Sequence, residues 1–190
     1  MTRRNGYFLK TLFFTLFAVL ISTSSPVRGG QSTDVISLIE LWLLDNCDLG
    51  EEGVLEKRLM GLGADAEPYL ILALETGPGE RLMKELEESL ASRWEKRGEI
   101  LRTADGTVLG KEDLDAARKV TREEYFAMEK ASFVLRYRDR AILGLAHVGT
   151  VKSQGVLKKF ASDKGSALKR SADDAIKSIE ERLKNVNPSE

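Results

Sequence analysis

Between residues 30 and 190 proline occurs only at 68, 78 and 188, and the apolar residues recur three and four apart with no sustained alternation. A chain with so few breakers and no period of two lacks the pattern of a sheet, so the spacing predicts an all-α fold.

The breakers and caps divide that pattern. A first helix is expected after Thr33 or Asp34, both good N-caps, carrying Val35, Leu38, Ile39, Trp42 and Leu43 and ending around 46–50. A second runs from about Glu51 to Leu62, with Gly63 placed as a C-terminal glycine. The third, Ala66 to Thr76, has Pro68 in its first turn and the run Tyr69 to Leu74, which is expected to be buried on most sides; Gly77-Pro78-Gly79 stops it. Glu80 to Arg102 reads as one long charged helix with Leu82, Leu86, Leu90 and Trp94 as its apolar stripe. After the turn at 103–107 and a short extended piece at Val108-Leu109, Lys111 opens another charged segment reaching residue 137, either unbroken or interrupted near Thr121, itself an N-cap candidate. Three shorter helices are expected at the end: Arg138 to Val148, Ser153 to Ser162 and Ser166 to Leu183.

The chain also matches itself weakly at two offsets. A shift of 31 lays Arg140-Ala141, Gly144, Leu145 and Val148 on Ser171-Ala172, Ala175, Ile176 and Ile179. A shift of 86 lays Leu59, Leu62-Gly63 and Leu70-Ile71 on Leu145, Val148-Gly149 and Val156-Leu157. On Arg58 to Leu70, with its Leu-Gly junction followed by Ala66-Glu67-Pro68-Tyr69-Leu70, and on Arg138 to Lys159, the chain resembles the HEAT-like repeat family, in the short variety named after phycobilisome lyases. The tail Ala167 to Arg182 looks like a further first helix. That resemblance implies a right-handed stack of antiparallel helix hairpins, a HEAT-like α-solenoid in which neighbouring pairs complete each other's core. Residues 30–190 then form a single repeat domain whose block 80–137 is longer and more charged than such repeats; an irregular helical bundle is the alternative.

Residues 1–29 read as an export signal. Arg3, Arg4 and Lys10 precede the apolar run Leu12 to Ile21, followed by Ser/Thr and Pro26. As a helix that run rises about 15 Å, roughly half of a ~30 Å hydrocarbon core, so cleavage after Gly29 is favoured over a membrane anchor. The expected location is periplasmic or secreted, with membrane attachment only if the signal stays uncleaved. One Cys and one His exclude a disulfide framework, a Cys-based zinc cluster and any site needing two imidazoles. Cys47 reads as a core thiol. His147, one residue before Val148-Gly149, suits a helix C-terminus, where a cation is favoured. Asp45, Asp48, Glu51 and Glu52 lack the alternation of a calcium loop, and the glycines of 104–113 lack phosphate-loop spacing. No cofactor, no metal and no catalytic residue are expected.

Charge is divided along the chain. Asp34 to Glu129 holds 12 basic and 23 acidic residues, a net of −11, whereas Lys130 to Lys184 holds 13 basic and 6 acidic, a net of +7. The basic end attracts an anionic partner: an acidic protein first, otherwise an anionic envelope polymer or lipid surface. Arg138, Arg140, Lys158, Lys159 and Arg170 are the residues expected to supply the contact charges. Nucleic acid is excluded as a partner by the export signal, by the 25 basic against 30 acidic residues left after residue 29, and by the lack of a recognition motif. The function read from this is an exported, non-catalytic interaction or scaffold module. A ligand-handling or lyase-like enzyme on the same scaffold, and a structural bundle within an envelope complex, are the alternatives.

Overall fold

The computed structural model describes residues 30–44, 52–103 and 111–186, and the chain divides into two compact units, Met1–Thr33 and Asp34–Glu190. The expected export segment, Cys47, the acidic stretch 45–51 and the turn with its extended piece at 104–110 lie outside the described residues. Among the described residues there are eight α-helices and no strand, as the spacing requires: α1 (Gly30–Leu44), α2 (Glu52–Leu62), α3 (Glu67–Thr76), α4 (Glu80–Thr103), α5 (Lys111–Lys119), α6 (Arg122–Val148), α7 (Val151–Ser162) and α8 (Lys169–Val186). None of them is long and apolar enough to cross a membrane.

Most boundaries follow the local chemistry. Gly63 (φ +55°) closes α2 and Gly77 (φ +76°) closes α3, both in the left-handed region that glycine enters without penalty. Pro68 stands in the first turn of α3. At α6 the break falls where Thr121 predicts it: Glu124 N–H donates to Thr121 Oγ1 (3.2 Å) and Thr121 N–H donates to Glu124 Oε2 (2.8 Å), a reciprocal capping box.

Two expectations are corrected. α1 starts at Gly30 rather than after Thr33 or Asp34, because Ser and Thr cost less than about 0.7 kcal/mol inside a helix and the cap signal is passed over. Arg138 does not open a new helix. It lies inside α6, whose 27 residues meet their first glycine only at Gly144 and contain no proline. The run Tyr69 to Leu74 of α3 is buried on most sides as expected, with Leu70 and Leu74 fully buried and only Leu72, 58% exposed, turned to solvent.

The core is built around the distal half of α6. Ala141, Ile142 and Leu145 are fully buried and share one cluster with Ile39, Trp42 and Leu43 of α1, Leu59 of α2, Leu70 and Leu74 of α3, Leu157 of α7 and Ala172, Ala175 and Ile179 of α8. α6 packs against α2, α3 and α8, and α7 packs against α3 and α8. Block 80–137 is held differently. Among its described residues Leu90 and Leu114 are buried away from the main core, Tyr137 at its end joins that core, and Leu82 packs on it from the edge. Its helices are tied mainly by arginines: Arg93 to Glu129 (3.2 Å), and Arg97 over the rings of Trp94 (4.8 Å to its centre) and Tyr125 (5.6 Å) while donating to the Ala117 carbonyl. That is why its apolar stripe is thin and its charge high.

Candidate functional site

α7 carries the surface in question, and its orientation is set by a buried carboxylate from a distant helix. Thr150 caps α7 from an extended backbone, its Oγ1 accepting from Lys152 N–H (3.2 Å). Glu67, in the first turn of α3 and 6% exposed, accepts from Thr150 N–H (2.8 Å), Thr150 Oγ1 (2.9 Å) and Ser153 N–H (3.1 Å). These are the donors that a helix start leaves unpaired, at the positive end of its dipole. Burial pushes the Glu67 carboxyl up, but the hydrogen bonds from Thr150 and Ser153 outweigh it and hold the group below its ordinary value.

So fixed, α7 buries Ser153 and Leu157 and turns Val151, Lys152, Gly155, Lys158, Lys159 and Ser162 to solvent. Three lysines and no acid share this face. Lys159 Nζ lies 3.1 Å from Glu75 Oε1, an exposed pair worth little in water. For Lys152 and Lys158 no ion pair is found among the described residues.

The five residues expected to make contact are thus separated by the fold. Lys158 and Lys159 lie side by side on the α7 face. Arg138 is half-buried: its Nη2 donates to the Glu75 carbonyl (3.4 Å) and its guanidinium lies over Gly77, where a Cβ would come within 3.5 Å of Nε. It serves the carbonyl end of α3 and, on its other side, the wall of a groove. Arg170 is fully solvated, but it stands on α8 beside Asp174 (3.9 Å), next to the pairs Lys169–Asp173 (2.6 Å) and Lys177–Asp174 (3.8 Å), so the charges there are balanced along the helix.

Arg140 is a correction. It is 5% exposed, stacks 3.8 Å from the centre of the Trp42 ring and donates through Nε to the Trp42 carbonyl (3.0 Å). It is a core residue and offers no charge to a partner. His147 also sits inward, edge-on to Trp42 with ring centres 6.0 Å apart and Nδ1 3.5 Å from Glu56 Oε1, at the C-terminal turn of α6.

Beside the α7 face runs a groove of about 520 Å³. Ala131, Val134 and Leu135 of α6 form one side, and Phe160 and Leu168 the other. Lys130 and Arg138 stand at its border, together with Ser166 and Asp163, whose Oδ1 accepts from Gly165 N–H (3.0 Å). The groove was not legible in sequence, because its two sides belong to helices whose junction only the tertiary packing creates. Glu67 was missed as well, although the offset of 86 lays it on Ser153, the residue it holds.

Comparison with protein-family models, with curated proteins and with solved structures finds no match. The fold and the site therefore stand on this chain's own geometry.

Proposed function

We propose that this chain is an exported, non-catalytic interaction module of HEAT-like helical repeats that engages an acidic partner protein through the outer face of α7. The observation that carries the reading is the α7 face itself: Lys152, Lys158 and Lys159 stand together with no acid of their own helix among them and with Glu75 of α3 beside Lys159, while the basic residues of α8 are interleaved with acids on their own helix. Such a face raises the encounter rate with an anionic surface and makes the binding salt-sensitive.

The order of the helices and the internal offsets motivate the repeat reading. α2 and α3 are joined by the turn at Gly63, α6 and α7 by Gly149 and Thr150, and α8 then packs on both α6 and α7. Some positions matched by the two offsets share their environment, Leu59 with Leu145, Ala141 with Ala172 and Val148 with Ile179 all being core pairs, whereas Leu70 with Val156 and Ile71 with Leu157 pair a fully buried residue with a partly exposed one. On this reading the repeat units are the consecutive helices α2 with α3, the distal half of α6 with α7, and α8, although the extensive packing is of α3 on α6 and of α8 on α6 and α7 rather than within the first two pairs. The first half of α6, with α4 and α5, is an insertion that lengthens one hairpin.

The test is capture from an envelope extract at low and at high salt, comparing the wild-type chain with the triple variant Lys152→Glu, Lys158→Glu and Lys159→Glu. Partners bound by wild type at low salt, released by salt and missed by the variant are expected; equal capture by both chains contradicts the assignment.

A further inference from the structure

We infer that the groove between α6 and the α7–α8 junction receives an acidic amphipathic helix of the partner protein, which rests on the reading of α7 as the docking face. Three features point to that occupant. First, the groove offers an apolar strip rather than an isolated residue: Ala131 and Leu135, one helical turn apart on α6, are both exposed, Leu135 by 40%, and face the same space as Phe160. Second, the strip is bracketed by cations. Lys130 and Arg138 lie eight residues apart on α6, about 12 Å along a helix, or roughly two turns of a docked segment. Arg138 is held in position by the Glu75 carbonyl, so little of its side-chain freedom is lost when a carboxylate arrives, whereas Lys130 shares its charge with Glu87 and leaves Arg138 and the α7 lysines as the main attraction. The border's single acid, Asp163, is turned to Gly165 N–H. Third, the α7 lysines extend the positive field.

A segment with apolar side chains at i and i+4, flanked by carboxylates, complements this pattern in both shape and charge. A uniformly anionic polymer satisfies the lysines but leaves the strip uncovered. A lipid surface meets the lysines as a plane and cannot enter between α6 and Phe160.

The experiment uses two labelled synthetic peptides of identical composition, one with Leu and Phe at i and i+4 between Glu residues and one with that order scrambled. Their affinities are measured by fluorescence anisotropy against the full chain, and vesicles of phosphatidylglycerol form a third arm. The patterned peptide is expected to bind about tenfold tighter than the scrambled one. That advantage is expected to vanish in Ala131→Glu, Leu135→Glu, where both positions are exposed and an unchanged thermal melt verifies the fold. Equal affinity for the two peptides, an advantage retained in the groove variant, or vesicle binding that falls in parallel with it each overturns the inference. The α7 triple variant separates this from the docking face: it is expected to weaken both peptides equally. No weakening of either removes the α7 reading, while the patterned-to-scrambled ratio still decides the groove.

Discussion

Trp42 and Arg140, 98 residues apart in sequence, each donate a hydrogen bond to the other's backbone carbonyl: Trp42 Nε1–H to Arg140 O at 2.8 Å and Arg140 Nε–H to Trp42 O at 3.0 Å. The guanidinium also covers the indole face. This pair joins α1 to the distal half of α6 and uses a permanent charge as a structural element. A buried cation–π contact is worth about 2 kcal/mol, and a carbonyl stripped of its donor costs roughly 1–3 kcal/mol. Arg140→Ala is therefore expected to lower the unfolding free energy by roughly 3–5 kcal/mol in urea titrations, and Arg140→Lys to recover only part of it, since an ammonium cannot both stack flat and donate sideways. A loss below about 0.5 kcal/mol, the range of an ordinary surface change, contradicts this role.

Close approach of α3 to α6 depends on a missing side chain. A Cβ on Gly144 would stand 2.8 Å from Trp42 Nε1 and 3.0 Å from both δ-carbons of Leu70. Trp42 is tied by its bond to Arg140 and Leu70 is fully buried, so neither gives way easily. Gly144→Ala gains up to about 1 kcal/mol of helix propensity and loses about 1–3 kcal/mol to overpacking. Net destabilisation is expected in a thermal melt, and a raised melting temperature would show that the two helices can separate freely.

Glu67 makes stability depend on pH in a stated direction. Its folded-state pKa lies below its ordinary value of 4.5, so the stability it supplies is present above that value and is lost as the pH falls through the folded pKa. Urea midpoints measured from pH 7 down to pH 3 are expected to fall more steeply for wild type than for Glu67→Gln, which cannot ionise and starts lower by roughly 1.5–3 kcal/mol. Parallel curves would mean that the carboxylate is not what fastens α7.

Thr121 gives a local prediction. With its side chain removed in Thr121→Ala, the first turn of α6 loses its reciprocal cap, at a cost of about 1 kcal/mol. Hydrogen exchange is expected to quicken at residues 122–126 and to stay unchanged at 140–148. Uniform acceleration along α6 would contradict a local cap.

Much of this fold was legible because the signals are local. Gly63, Pro68, Gly77 and Thr121 set boundaries through backbone conformation and capping, which need no knowledge of distant residues. The continuity of α6 through residue 138 was not legible, since a change from sparse to dense apolar spacing reads the same for two helices as for one helix passing from a thin core to a thick one. Arg140 defeated a charge count for a similar reason. Its burial depends on Trp42, which sequence spacing had placed only in an apolar stripe. Of the five expected contact residues, Lys158 and Lys159 come to lie on one exposed side of α7, where Lys152, not among the five, joins them, whereas the exposed basic residues of α8 alternate with acids three and four places away.

The most direct test of the central claim is the salt dependence of binding to poly-glutamate, measured in parallel for wild type, for the α7 triple variant and for Arg170→Glu. Wild type and Arg170→Glu are expected to weaken steeply and equally with rising salt, and the triple variant to bind feebly with a shallow slope. A triple variant that binds like wild type, or an Arg170→Glu chain that loses as much, would contradict α7 as the face that meets the acidic partner.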